Sequence, residues 1–263
     1  QTRKGGYNVQ QSNAYIITFS VILTVVLGLL LSGTSELLKP IQKKAEELDT
    51  KKQILGAVIP AEQIAAMKPE EVNEFYASRI SSKVVNINGE EVEEQDGVAV
   101  SAETVDVGKN YKKAPEDRLY PVFIFLDEGS DETALAYILP VYGSGLWDSI
   151  WGYVALKTDM DTIEGVTLSH AGETPGLGAR ITSVEVQQRY KDKTIYNEGG
   201  ELVSVYMQKG EGKDYSGEPH KVDGMSGATI TADGVNNMLK NYLQHYQSYM
   251  EKIKEGGSEV AMN

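Results

Sequence analysis

A run of small and hydroxyl-bearing residues, Asp223-Gly-Met-Ser-Gly-Ala-Thr-Ile-Thr231, comes directly before a segment with helical periodicity. The apolar residues of that segment are Val235, Met238, Leu239, Tyr242, Leu243 and Tyr246. The amides of residues 226–231 should therefore lie at a helix start, where they attract an anion such as a phosphate. The Thr229 hydroxyl could hydrogen-bond that phosphate or be esterified by it. A plain helix cap is the alternative, because Ser and Thr are common at helix starts.

A second stretch, His170-Ala-Gly-Glu-Thr-Pro-Gly-Leu-Gly178, precedes this run in the chain. It is similar to the E-T-P-G-L-G segment of the FMN-binding domain family, and the run ending at Thr229 resembles that family's S/T-G-A-T flavinylation motif. Two motifs in the family's order are stronger evidence than either alone. With the N-terminal hydrophobic segment and Gly143-Ser-Gly-Leu-Trp147, the chain resembles the C-subunit family of Na+-translocating NADH:quinone oxidoreductases (Nqr) over nearly its whole length.

The resemblance implies that FMN is joined through its phosphate to Thr229, with Ser226, Gly227 and Ala228 beside the attachment point. Ser226 and Thr231 are then neighbours and not acceptors. Self-attachment would need a general base and a divalent cation, and the sequence shows no dedicated group for either. The family implies a separate, Mg-dependent flavin transferase instead. We predict no catalytic residue and no metal ligand in this chain.

The isoalloxazine ring of FMN is flat and largely apolar, with hydrogen-bonding edges, so it needs apolar walls and a few polar groups. Leu177, between Gly176 and Gly178, is expected to present its side chain to the ring. Glu173 and Thr174 are expected to serve the polar edge of the ring. Without the family resemblance, Pro175-Gly176 would equally be an ordinary turn.

Three aromatic residues near these motifs allow two interpretations each. Trp147 is a candidate flavin contact, but packing in the core is the safer expectation for both Trp147 and Trp151. His170 begins the second motif and could touch the ligand. A hydrogen-bonded structural histidine is the more ordinary role.

The composition restricts the chemistry of the chain. The 263 residues carry a net charge of −13, which argues against a nucleic-acid partner because no basic stripe exists to neutralise phosphates. The chain has no cysteine, which excludes disulfides, thiolate catalysis and cysteine-bound zinc or iron–sulfur clusters within it. If the chain carries electrons, an organic cofactor must do so.

The N-terminal region predicts a membrane anchor. No charged residue occurs from Gly5 to Ser35, and the nearly apolar stretch Ala14–Leu31 would be about 27 Å long as a helix, enough to cross a bilayer core. We predict a short tail at 1–12 and a transmembrane helix at 13–35. A cleaved signal peptide is the alternative, but Ser32-Gly-Thr-Ser-Glu36 is a poor cleavage site.

The orientation of the anchor is ambiguous from charge. Arg3 and Lys4 precede the span, whereas five lysines follow it: Lys39, Lys43, Lys44, Lys51 and Lys52. Counted literally, the positive-inside rule keeps the large domain in the cytoplasm. The family resemblance implies the opposite: a single-pass protein of the bacterial inner membrane, with its soluble domain in the periplasm. We adopt the second expectation.

The remaining elements predict an α+β fold with an N-terminal transmembrane helix and mainly antiparallel sheets flanked by helices. Residues 36–80 should form a stalk and helical segment, with a charged helix over 36–55 interrupted near Pro40 and a helix over 69–80. Strands are predicted at Lys83–Ile87, Tyr120–Leu126, Leu135–Val141, Ile150–Leu156, Ile163–Ser169, Ala179–Val186 and Leu202–Met207. The FMN-binding domain should cover 81–254, and 255–263 should form a mobile tail.

These features predict an electron-transfer subunit with covalent FMN, acting within a membrane complex that oxidises NADH, reduces quinone and exports Na+. The chain shows no NADH site and no multi-span ion pathway, so both must belong to partners. The resemblance implies the other subunits of that complex, especially its B, D and E membrane subunits. One alternative is the G subunit of the Rnf complex, which works with ferredoxin and NAD. Another is a membrane-anchored, non-redox assembly module in which Thr229 is only a cap.

Overall fold

The computed structural model describes residues 12–95, 97–130 and 133–260 and begins with a long helix, α1, at Asn13–Gly56. The residues form two compact units that divide between Asp49 and Thr50. Within the described part of the chain, α1 is the one helix long and apolar enough to cross a membrane, and no residue of its apolar window is buried. This helix fits a single-pass membrane anchor. Residues 1–11 of the predicted N-terminal tail lie outside the described residues.

The predicted interruption of the stalk at Pro40 is wrong, because α1 continues through this residue. Proline removes one backbone donor, but its fixed φ of about −65° is compatible with helical backbone. Long helical segments on both sides tolerate a single missing hydrogen bond. The apolar segment and the charged segment after it are therefore one helix.

Two short helices connect α1 to the sheet. They are α2 at Ala61–Ala66 and α3 at Pro69–Arg79. The predicted helix at Pro69 is confirmed: proline occupies the first turn, and the Glu71 carboxylate accepts the Lys68 N–H at 2.7 Å. This arrangement satisfies a backbone donor at the helix start, where the helix itself offers no acceptor.

The centre of the second unit is a five-stranded antiparallel sheet. Its strands are β1 at Ile80–Val85, β4 at Tyr120–Leu126, β5 at Ala134–Ser144, β6 at Ser149–Lys157 and β7 at Ile163–His170, and they lie side by side in this order. In the chain, β1 is separated from β4 by four small elements. They are the hairpin of β2 (Glu94–Gln95) and β3 (Val98–Ala99), α4 at Val107–Asn110 and a 3-10 turn at Pro115–Asp117. Five of the seven predicted strands therefore fall on this sheet.

The segment predicted as a strand at Ala179–Val186 is helical instead. A 3-10 helix covers Gly178–Thr182, and α5 covers Val184–Gln188. The Ser183 side chain accepts the Val186 N–H and caps α5, which starts a helix inside the predicted strand. Local capping therefore decides the conformation here.

The C-terminal helix α6, Thr229–Val260, packs on the sheet. All six residues of the predicted apolar stripe are buried, from Val235 at 0% exposure to Met238 and Tyr242 at 2%. Each such side chain stabilises the fold by about 1.5–3 kcal/mol through burial. Near its N-terminus the helix approaches β5 closely, since a Cβ on Gly234 would lie 2.5 Å from the Ser144 carbonyl oxygen. This contact places the start of α6 beside the turn between β5 and β6.

Two further boundaries differ from the prediction. Of the strand predicted at Leu202–Met207, Tyr206–Met207 forms β8, which pairs in parallel with β9 at Lys221–Val222, and Leu202 makes an isolated antiparallel bridge with Tyr196. Ser204 has a φ of +66°, which interrupts an extended strand. At the C-terminus, α6 includes residues 255–260 of the predicted tail, and 261–263 lie outside the described residues.

Candidate functional site

The two sequence motifs meet in a pocket of about 260 Å³ at the N-terminus of α6. Its lining contains every predicted site residue except Ser226 and Trp147. The lining residues are Leu146, Glu173, Thr174, Leu177, Gly178, Gly227, Ala228, Thr229, Ile230 and Thr231. Segments distant in the chain thus form one concave site.

The start of α6 offers free hydrogen-bond donors to this pocket. The N–H of Ala232 donates to the Ala228 carbonyl at 2.9 Å, but the N–H groups of Thr229, Ile230 and Thr231 have no backbone acceptor among the described residues. The Thr229 side chain is partly exposed, and its hydroxyl makes no hydrogen bond within the same part of the chain. Free amides at the positive end of a long helix form a site suited to an anion.

The loop at 173–178 supplies the apolar wall. The Thr174 carbonyl accepts the N–H groups of Leu177 and Ala179 at 3.1 and 3.2 Å, and Gly176 takes a φ of +76°. This tight turn leaves the Leu177 side chain 41% exposed at the pocket. Gly227 opposite has a φ of +75°, and a Cβ there would lie 2.9 Å from Leu177 Cδ2. Glycine is therefore favoured by the backbone conformation, and an added Cβ would also force the Leu177 side chain to shift.

Glu173 joins the loop to two other segments. Its side chain is only 4% exposed; Oε2 accepts the Thr231 hydroxyl at 2.6 Å, and Oε1 accepts the Trp147 N–H at 3.0 Å. Burial alone would raise the pKa of this carboxyl. The Thr231 hydroxyl and the backbone N–H groups of Trp147, Leu146 and Asp148 outweigh burial and lower the pKa. Glu173 is therefore an ionised cross-link between the β5–β6 turn, the loop and α6, and its oxygens are engaged within the protein.

Glu211 forms a second cross-link, which the sequence did not predict. Its carboxylate pairs with both terminal nitrogens of Arg180 and accepts the Ser226 N–H at 3.0 Å. Hydrogen bonding by Arg180, followed by that of Ser226, lowers the pKa of Glu211 to about 2. The Arg189 guanidinium donates to the carbonyls of Asp223 and Gly224 at 3.1 and 2.6 Å. These contacts hold the motif at 223–231 against the segment that follows the motif at 170–178.

Asp223 stabilises a neighbouring loop. Its carboxylate accepts the N–H groups of Gly212 and Lys213 at 2.7 and 3.2 Å. These bonds hold the 212–213 segment against the motif and bring Glu211 next to it.

The structure agrees with the expected position of His170 but not with that of Trp147. The core position expected for Trp147 is wrong: the side chain is 69% exposed, and its Nε1 donates to Thr174 Oγ1 at 3.1 Å. The reason is its place in the short β5–β6 turn, which projects beyond the sheet. Trp151 is half-buried and donates to Gln53 Oε1 at 3.3 Å. His170 Nδ1 accepts the Glu173 N–H at 3.2 Å, which agrees with the structural role expected for it.

Comparison with known proteins places this arrangement in a family. The family model of the FMN-binding domain matches residues 145–244, which include both motifs. The C subunit of a Na(+)-translocating NADH-quinone reductase from Haemophilus ducreyi is 32% identical over 90% of this chain and 93% of its own length. The chain belongs to this C-subunit family. Both sequence motifs lie within the part of the chain that the family shares.

Solved structures of C subunits share the fold. A crystal structure of the Na(+)-translocating NADH-quinone reductase C subunit from Parabacteroides distasonis is 36% identical with a TM-score of 0.66, and the match covers 81% of this chain and 96% of that one. A structure of Shewanella oneidensis NqrC is 24% identical with a TM-score of 0.65, and the match covers 80% of this chain and 99% of that one. At this identity the likeness shows only a common fold. The predicted α+β class is therefore confirmed.

Proposed function

We propose that the chain is the FMN-carrying electron-transfer subunit of a Na+-translocating NADH:quinone oxidoreductase. The observation that carries the proposal is the pocket that combines the free amides of α6, the Thr229 hydroxyl and the Leu177 wall. The domain family match and the C-subunit relatives support the same conclusion. When bound, FMN would supply single-electron redox chemistry.

The residues of the pocket fit the two ends of FMN. The N–H groups of Thr229, Ile230 and Thr231 are suited to the phosphate because they lack acceptors among the described residues. Leu177 is suited to the ring as an apolar wall. The hydroxyl of the exposed Thr174, which accepts a hydrogen bond from Trp147 Nε1, is suited to its polar edge. Gly227 and Ala228 allow a close approach of the backbone, and Gly178 leaves room for the hydrogen bond between Glu173 and Thr231. Glu173 and Glu211 position these segments.

We propose that the phosphate forms an ester with Thr229, whose hydroxyl oxygen attacks the FMN phosphorus of FAD and displaces AMP while the hydroxyl proton passes to a base. The Thr229 hydroxyl is free of hydrogen bonds within the described residues, whereas the Thr231 hydroxyl is buried and donates to Glu173. Ser226 is exposed but does not line the pocket. Thr229 is thus the hydroxyl that combines access with position, and Ser226 and Thr231 serve as neighbours.

A separate flavin transferase is the proposed catalyst of attachment. Threonine is a weak nucleophile that needs a general base. The carboxylate that lines the pocket, Glu173, is ionised but buried and engaged by donors of this chain. In the described residues no cluster of three or more His, Asp or Glu could hold a metal ion. We propose that the transferase supplies the base and the divalent cation.

We further propose that the anchor lies in the bacterial inner membrane with the soluble domain on the periplasmic side. Helix α1 supplies the membrane-spanning segment. The electron donor and acceptor are proposed to be other subunits of the complex, with the B, D and E membrane subunits as the candidates. Both the location and the partners are inferred from the family to which the chain belongs.

The two alternatives are less well supported. A G subunit of the Rnf complex would share the anchor and the motifs, but the matched relatives named above are C subunits of the NADH-quinone reductase. A non-redox module would use Thr229 as a cap, yet its hydroxyl forms no capping hydrogen bond with the described residues. The flavin carrier is therefore the function that the site supports best.

Substitution of single hydroxyls tests the attachment residue. The Thr229→Ala chain, produced with the flavin transferase, should show no flavin fluorescence in a denaturing gel. In native buffer the same variant should remain folded. The matched control is Ser226→Ala, which removes an exposed hydroxyl from the same motif and should keep the fluorescence. Fluorescence that survives Thr229→Ala at the wild-type level would refute Thr229 as the acceptor.

A further inference from the structure

A cavity of about 540 Å³ lies outside the first pocket and shares none of its lining. Three segments form it: residues 189–193 after α5, the loop at 213–219, and residues 221–223 of and after β9. Five basic side chains line it, namely Arg189, Lys191, Lys193, Lys213 and Lys221. A chain with 25 basic and 38 acidic residues thus places one-fifth of its basic residues in one concave site.

The three acidic residues of the lining have other partners. Asp192 accepts a hydrogen bond from the Lys157 ammonium at 2.6 Å, and Lys157 is not part of the lining. The Asp223 carboxylate accepts two backbone N–H groups, and Asp214 accepts the Ser216 N–H at 2.8 Å. Within the described residues, none of the three forms an ion pair with a lysine of the cavity.

Lys193 is a buried cation that contacts no counter-charge. It is only 8% exposed, and its Nζ donates to the carbonyls of Tyr215 and Glu218 at 2.5 and 2.8 Å. Burial lowers the pKa of this ammonium, although the charges of Asp214 and Glu218 act in the opposite direction. Carbonyl dipoles and more distant carboxylates are thus its main compensation. An anion in the adjoining cavity would stabilise this charge without having to touch it.

The exposed lysines of the cavity are available for direct contact. The Lys213 side chain is exposed, and its ammonium makes no hydrogen bond or ion pair with a described residue. Lys191 and Lys221 each pair with one carboxylate at 3.1 Å, and their side chains remain 55% and 44% exposed. An ammonium group has three donors, so both lysines can donate to an anion and keep these pairs.

We propose that this cavity binds a phosphate monoester. The ester carries about −1.5 to −2 charges at pH 7 and three acceptor oxygens, which matches one uncompensated buried cation and one free exposed cation. Lys213, Lys191 and Lys221 would donate to the oxygens, and the charge of Lys193 would add to the attraction. The concave, ligand-sized lining favours a small ligand over an acidic protein surface. A soluble phosphate ester and the head group of a lipid such as phosphatidic acid share this chemistry.

Binding can be measured by calorimetry and ³¹P NMR on the full chain in phosphatidylcholine nanodiscs, with glycerol 3-phosphate as the soluble probe and acetate at equal ionic strength as the comparison. Discs that also contain phosphatidic acid distinguish the sources. A saturable shift of the phosphatidic acid line that requires Lys213 identifies a lipid head group. A saturable shift of the glycerol 3-phosphate line alone identifies a soluble ester.

The variant Lys213→Gln should lower affinity for the better phosphate probe about tenfold, the value of one hydrogen bond to a charged group. The matched control is Lys209→Gln, which removes another exposed lysine that does not line the cavity and should leave affinity nearly unchanged. Thr229→Ala should also leave affinity unchanged, because Thr229 belongs to the first pocket, so failure of the flavin assignment would not affect this result. No saturable binding of either phosphate, equal binding of acetate, or equal losses in the two lysine variants would overturn the proposal.

Discussion

Replacing Glu173 by glutamine should loosen the site, because this carboxylate connects three of its segments. Its oxygens accept the Thr231 hydroxyl at 2.6 Å and the Trp147 N–H at 3.0 Å. Hydrogen bonds to a charged group contribute about 1.5–3 kcal/mol each, and neutral ones about 0.5–1.5 kcal/mol. Glutamine keeps the shape but removes the charge, so Glu173→Gln should lower the free energy of unfolding by about 2 kcal/mol at pH 7.

The matched control for this substitution is Glu185→Gln. Glu185 pairs with Arg189 at 2.6 Å, but its side chain is 72% exposed, so the loss should stay below about 1 kcal/mol. Urea unfolding of both variants, with wild type alongside, measures the difference. Equal losses for the two variants would refute the cross-linking role of Glu173.

Acidification gives an independent check on Glu173. The folded state lowers the pKa of this carboxyl below its ordinary value of 4.5. Its contribution is therefore complete above about pH 4.5 and is lost as the pH falls toward the folded-state pKa. The gap between wild type and Glu173→Gln should narrow over that range. A gap that stays constant on acidification would contradict the ionised cross-link.

Three further substitutions test other parts of the chain. Gly227→Ala should destabilise the chain by about 1–3 kcal/mol and reduce flavin incorporation, because φ is +75° and the Cβ would meet Leu177; Gly217→Ala, in open space, is the control, and equal unfolding curves would contradict the argument. The Glu211→Gln variant should have a lower free energy of unfolding than wild type, and the difference should shrink as the pH falls from 4.5 toward about 2, because the pKa of Glu211 is lowered to about 2. A difference that does not change with pH in urea titrations would argue against this role. Glu128→Cys, an exposed position in a chain without cysteine, should react with an impermeant maleimide in intact spheroplasts; labelling only after lysis would place the domain in the cytoplasm.

The sequence predicted the elements that local pattern determines. The apolar stripe of α6 and the small residues before Thr229 located the helix start correctly, and β4 was predicted to the residue. These signals are periodic or confined to one motif. Seven of the nine candidate site residues were recognised from these two motifs and line one pocket. Each motif forms a tight turn of its own.

The parts that the sequence missed depend on contacts between distant segments. Glu211 meets Arg180 and Ser226 only after the chain has folded, and no local pattern marks it. Glu173 was expected at the polar edge of the ring, and its hydrogen bonds to Thr231 and Trp147 join segments that no local pattern connects. Exposure of Trp147 likewise follows from the projection of its turn beyond the sheet, which hydrophobicity alone does not indicate.

Tandem mass spectrometry of the native chain tests the attachment of FMN to Thr229 most directly. The protein should be purified from its host and digested, and the peptide that contains residues 226–231 should be sequenced. We predict an added mass of FMN less one water, with fragment ions that place it on Thr229. An unmodified peptide from cells that contain an active flavin transferase, or the addition on Ser226 or Thr231, would contradict this assignment.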